Sequence, residues 1–177
     1  MKILTLLFLF AAQGFCFAIE DASIVAAGDW SVPVEGSHGN TLRGRLLLCK
    51  SPKNHDLAYY LELQDCASVW GNNTEVYCDI SPSGGCRLEA RDAGGELIPA
   101  KPAAFGGGMP GSVWITLSCD STVRLRISAY AAFSPASAND YFVSGTFTVA
   151  PPSDHTGIDV WKGKLELPKM KVTAQKP

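Results

Sequence analysis

The sequence has no concentration of basic charge, few histidines and no helical repeat, and each shortage narrows what the chain can do. Its 15 Lys and Arg stand against 17 Asp and Glu, a net charge of −2. The basic residues are scattered, whereas phosphate backbones are held by a concentrated positive patch, so no nucleic-acid partner is expected. Only three histidines are present, His38, His55 and His155. Neither GxSxG nor HExxH occurs, so the commonest serine-nucleophile and zinc-hydrolase signatures are missing. No cysteine pair has CxxC spacing, which argues against zinc and thioredoxin-like chemistry. Nowhere do apolar residues recur at helical spacing for three turns, which argues against bundles and α/β folds.

What is present begins with a leader. Lys2 is the only charge before Glu20 and precedes the apolar run Ile3 to Ala12. Cys16-Phe17-Ala18 offers small residues at the two positions a signal peptidase reads, so residues 1–18 read as a secretory signal peptide. A retained membrane anchor is the competing reading, but the run is shorter than the roughly 20 apolar residues a spanning helix needs. After cleavage no stable membrane span is expected, and the location is secreted, periplasmic or cell-envelope. The remainder, about 160 residues, has single-domain length and can bury a sizeable core without metals or disulfides.

Five cysteines follow the leader: Cys49, Cys66, Cys78, Cys86 and Cys119. An exported chain can hold disulfides, but an odd number cannot all pair internally. Four of the five can pair in about 15 ways, and spacing does not choose among them. Cys78 and Cys86 flank a turn and oppose each other directly only if the loop runs from Asp79 through Gly85. The alternative is that several are small buried apolar residues.

The rest is strand and turn. Residues 19–40 read as an N-terminal arm or edge strand, because Trp30, Val32 and Val34 alternate while Pro33 removes a ladder donor. Residues 41–168 read as the folded domain and 169–177 as a C-terminal tail. The most patterned stretch is Leu57 to Arg91, with three period-two segments, LAYYLELQ, TEVYCDI and CRLEAR, separated by turn residues. Val113–Leu117 and Val123–Ala129 alternate on either side of a short turn and read as a hairpin. Tyr141–Val149 and a strand starting near Val160 complete the series. The Gly- and Pro-rich stretch 99–111 lacks the Lys-Ser/Thr ending of a phosphate loop and reads as a surface connection. Short strands with hardly any helix imply an all-β protein, an antiparallel β-sandwich.

Leu57 to Ile98, with its YYLEL strand, Asn-containing turn, EVYCDI strand and CRLEARDAGGELI, resembles the Ig-like β-sandwich of bacterial proteinase-inhibitor-like domains. Over most of the chain beyond the leader, LRGRLLL, ELQD, PGSVWITL, DYFVSGTFTV and DVWKGKLELPKMKV resemble small exported proteins of planctomycete-type bacteria. The resemblance implies an Ig-like architecture and export, and supplies no site residues.

For function, His55-Asp56 and Asp154-His155 could supply a metal pair or an acid–base dyad, yet Asp beside His in a loop more often marks a solvated turn. No catalytic residue, metal ligand or cofactor is therefore assigned. Tyr60, Tyr77 and Trp114 fall at outward strand positions among polar residues, where exposed rings stack on sugars or anchor a protein partner. The competing expectation is that the N-terminal arm or the C-terminal strand covers that face, because Trp30 and Trp161 must pack somewhere. Asn72-Asn73-Thr74 matches a glycosylation sequon but reads as a turn beside a bacterial-looking leader. The sequence thus implies an exported, non-catalytic protein with a structural or binding role. A carbohydrate- or protein-binding module and a small metal-dependent hydrolase built on the loop histidines are the alternatives.

Overall fold

Period-two alternation buries one face of a strand at a time, and the computed structural model shows where those faces meet. It describes residues 22–36, 39–52, 56–66, 73–79, 85–101, 112–127, 132–133, 140–151 and 160–173. The leader, the three histidines and most of the Gly-rich stretch lie outside them. Among the described residues there is no α-helix. The strands are β1 (Ser23–Ala27), β2 (Val34–Glu35), β3 (Thr41–Lys50), β4 (Leu57–Asp65), β5 (Thr74–Asp79), β6 (Cys86–Asp92) and β7 (Leu97–Ile98). They continue with β8 (Ala100–Lys101), β9 (Ser112–Leu117), β10 (Thr122–Arg126), β11 (Ala132–Phe133), β12 (Tyr141–Val149) and β13 (Gly163–Val172). The protein is all-β and built of antiparallel sheets.

The first sheet has the order β1-β3-β4-β10, with β2 also paired to β3, and the second has the order β13-β12-β6-β7. Two ribbons, β5–β9 and β8–β11, complete the set. Leu42, Leu46 and Leu48 of β3 and Tyr59, Leu61 and Leu63 of β4 belong to one buried cluster with Ala90, Val143, Phe147, Leu165, Leu167 and Met170 of the second sheet. Each Leu, Val, Phe or Met among them contributes about 1.5–3 kcal/mol by leaving water. Gly44 lies on this same face of β3, where a Cβ would sit 3.2 Å from both Leu165 and Leu167. Its missing side chain lets β13 approach. The Tyr59 and Tyr141 hydroxyls, 3.1 Å apart and buried, link the two sheets across the cluster.

Two sequence expectations need correcting. The segments Val113–Leu117 and Val123–Ala129 do not form a hairpin: β9 pairs with β5, and β10 pairs with β4. The turn between them has Asp120 in the left-handed region, with φ 59°, and carries the chain from the ribbon to the first sheet. Likewise β4, β5 and β6 follow one another in sequence yet enter three different sheets. The tail proposed from residue 169 begins too early, because Met170, Lys171 and Val172 pair with Val143, Phe142 and Tyr141. The register shifts between Val143 and Gly145, opposite the stretch holding Pro168. A proline, having no N–H to offer, fits such a bulge on an edge strand.

Among the described residues, the two tryptophans outside the strands, Trp30 and Trp161, are both packed. Trp161 is fully buried and donates its indole N–H to the Val34 carbonyl at 3.2 Å. Trp30 lies against the face of the first sheet that points away from the shared core, over Arg43 and Arg45.

Candidate functional site

The β5–β9 ribbon presents one face to the core and one to solvent. Val76 and Cys78 of β5 are completely buried, so strand alternation turns Glu75, Tyr77 and Asp79 the other way. The register sets Glu75 opposite Thr116, Tyr77 opposite Trp114 and Asp79 opposite Ser112. The outer face is therefore an aromatic pair flanked on each side by a carboxylate and a hydroxyl. The Tyr77 and Trp114 rings have centroids 5.0 Å apart and planes tilted by 54°. Trp114 is 37% exposed, and Glu75, Thr116 and Ser112 are exposed as well. Two rings in contact, reached by solvent and edged by hydrogen-bonding groups, form a surface able to take an apolar face with hydroxyls around its rim.

Tyr60 is placed elsewhere. It lies on β4 between Leu47 of β3 and Arg126 of β10, in the first sheet. Of the three rings singled out in the sequence, the structure brings Tyr77 and Trp114 together and sets Tyr60 in a different sheet.

Tyr60 shares its face with a polar array that sequence reasoning missed. Glu62, only 2% exposed, accepts from Arg45 Nε at 2.5 Å and from Arg124 Nε at 2.6 Å. In the next row Arg43 Nε donates to Gln64 Oε1 at 2.8 Å. Trp30 caps both rows, its ring centre 4.8 Å from the Arg43 guanidinium carbon and 4.5 Å from that of Arg45. The signal was available: Arg43 and Arg45, Glu62 and Gln64, and Arg124 and Arg126 each sit two apart on strands whose alternate residues are apolar. What the sequence withheld was that β3, β4 and β10 are neighbours. Opposite charges in one cross-strand row fix register, and the guanidiniums lean on partners inside the protein. This array ties three strands together.

Cys49, on that same face, is buried opposite Ala58, and burial pushes its thiol pKa up while the Arg124 charge pulls the other way. Thr74 of the sequon is wholly buried and donates to Asp65 Oδ2 at 2.8 Å. That threonine hydroxyl therefore serves the core. Among the described residues no group of three or more His, Cys, Asp or Glu is placed to hold a metal ion. His38, His55 and His155 lie outside the described residues. Among those residues, too, no helix is long and apolar enough to cross a membrane.

No family model matches the chain, and no curated protein or solved structure is detectably similar to it.

Proposed function

We propose that the chain is an exported, non-catalytic binding module of Ig-like β-sandwich architecture, and that the outer face of the β5–β9 ribbon binds neutral carbohydrate. Export rests on the charged, apolar and small-residue order of residues 1–18. The architecture is supported by two antiparallel sheets that contribute to one buried cluster. It is supported also by a chain that alternates between them, with β4 and β10 in one and β6 and β12 in the other.

The observation that carries the binding reading is the Tyr77–Trp114 pair, Trp114 exposed and Tyr77 partly buried against the core, on a face with Glu75, Asp79, Ser112 and Thr116. A sugar ring has an apolar C–H face and a hydroxyl rim, which suits rings bordered by acceptors. The two carboxylates repel uronic acids and sulfated sugars, so the ligand class is neutral. The test is a glycan array with the wild-type protein and Trp114→Ala. Wild-type binding to neutral glycans, weakened at least about tenfold in the variant, supports the proposal; about 1–3 kcal/mol is the usual worth of one such stacking ring. Binding that Trp114→Ala leaves intact sinks this face, and binding to no glycan at all leaves the structural role.

A further inference from the structure

All five cysteines among the described residues are thiols in this structure. Backbone hydrogen bonds nevertheless bring four of them together in twos. At the end of β4, Asp65 N–H donates to the Ser121 carbonyl and its own carbonyl accepts from Asp120 N–H, so one residue opposes two across a bulge. The next residues outward are Cys66 and Cys119. Cys66 N–H turns the other way, donating to the Thr41 carbonyl of β3 at 2.7 Å. Cys66 and Cys119 are therefore the residues immediately beyond this bonded pair. At the end of β5, Gly85 N–H donates to the Asp79 carbonyl at 3.0 Å. That is the wide loop the sequence left open, and Cys78 and Cys86 are the next residues inward from this bond, on strands that go on to different sheets. Both thiols are buried in the shared core.

Each pair thus lies one residue beyond a backbone hydrogen bond joining its two chain segments, and a disulfide spans Cα atoms roughly 4.4–6.8 Å apart. Each pair is also close enough to interact electrostatically, Cys119 acting on Cys66 and Cys86 on Cys78. Among the described residues Cys49 has no such neighbour, since it faces Ile24 on β1 and Ala58 on β4. We propose that this protein carries two disulfides, Cys66–Cys119 and Cys78–Cys86, with Cys49 as the thiol left over.

Formation of each bond removes two protons and two electrons from a pair of thiols. The acceptor is a disulfide oxidant, small-molecule or protein-borne. One cysteine thiolate attacks it, a mixed disulfide forms, and the second cysteine displaces the remaining half, so that the oxidant leaves as two thiols. In the folded, reduced protein Cys66 and Cys119, partly open to solvent, react first, whereas the buried Cys78 and Cys86 react only on opening of the core. The first bond would join the end of β4 to the β9–β10 turn, and the second would clip the ribbon to the second sheet. Persistence of the bonds in the cell rests on the export reading; the pairing does not.

The test uses the full chain, reduced, then oxidised with glutathione disulfide during refolding, blocked with iodoacetamide and cleaved after Glu, Lys and Arg. Cleavage leaves Cys16 of the leader on residues 3–20, Cys49 on 46–50, Cys66 on 63–75, Cys78 with Cys86 on 76–87, and Cys119 on 97–124. The expected result is 63–75 linked to 97–124, residues 76–87 lighter by two hydrogens, and 46–50 alkylated. Cys66→Ser should abolish the first link and keep the second. A link to Cys49, a mixture of connectivities, or four thiols still open to alkylation after refolding would overturn the assignment. If the expected links form in the tube while protein recovered from its host is fully alkylated, the pairing stands and the export reading fails.

Discussion

Tyr59 and Tyr141 point their hydroxyls at each other from opposite sheets, 3.1 Å apart and away from water. Tyr59 packs edge-on against Phe133, with centroids 6.0 Å apart and planes at 68°, so its ring is held on one side by an aromatic and at its tip by Tyr141. Burial and the Tyr141 hydroxyl push the Tyr59 pKa well above that of an ordinary phenol. Removing either hydroxyl strands the other. Tyr59→Phe and Tyr141→Phe should each cost about 1–3 kcal/mol in urea unfolding, and the double variant less than the sum of the two. Additive losses would mean that the two hydroxyls do not interact.

Glu62 holds two guanidiniums with its single negative charge, and Glu62→Gln leaves both beside an amide. Breaking a fully buried pair costs about 3–5 kcal/mol, but Arg45 and Arg124 keep 26% and 31% of their side-chain surface in solvent. A loss of about 1–3 kcal/mol is therefore expected. The gap between wild type and variant should narrow in 1 M salt, where charges interact over only about 3 Å. A gap indifferent to salt would mean that packing, rather than charge, holds this face.

How much of this was legible beforehand differs from element to element. The faces of β4, β5 and β6 follow from alternation alone: Tyr59, Leu61, Leu63, Val76, Cys78 and Ala90 are all buried. Pairing was not legible, because alternation says which side of a strand is apolar and nothing about which strand lies beside it. The hairpin expected around Asp120 failed for that reason, and the Arg45–Glu62–Arg124 row went unseen although each member was in plain view. The Tyr77–Trp114 contact joins residues far apart in the chain, so outward parity alone could suggest the two rings without uniting them.

Gly145 is a place where a single methyl group should matter. A Cβ there would run into the Arg87 carbonyl oxygen and come within 2.7 Å of Leu88 Cδ2, on the neighbouring strand β6. Gly145→Ala should lower stability by about 1–3 kcal/mol, as overpacking does. Gly94→Ala, whose new atom would meet nothing closer than Asp92 Oδ1 at 3.3 Å, should change it by less than about 0.5 kcal/mol. Thermal melts of the two variants side by side decide the point; equal losses would remove close strand approach as the cause.

Alkaline pH should weaken the reduced protein. Burial pushes the Cys78 and Cys86 thiols up to about 12. Unfolded thiols ionise near pH 8.5. Between those values the unfolded chain releases protons that the folded one retains, so stability is fully present below the lower value and falls as pH rises toward the upper. Urea midpoints of the reduced protein should drop from about pH 8.5 upward. Cys78→Ala/Cys86→Ala, less stable at neutral pH, should show a shallower alkaline decline; parallel curves would assign the decline to other groups.

The partnering of β4 with β10, β5 with β9 and β6 with β12 also sets when folding can occur. Each of these strands leaves the ribosome tens of residues ahead of the strand that completes its hydrogen bonds. Until β12 exists, β6 has no long neighbour on either side, and the apolar faces of β3 and β4 have no opposing sheet. Pairings this distant along the chain make for slow folding, in the millisecond-to-second range typical of all-β domains. Assembly therefore waits on the last third of the sequence, and a chain truncated before Tyr141 should remain unfolded and prone to aggregate through its open strand edges.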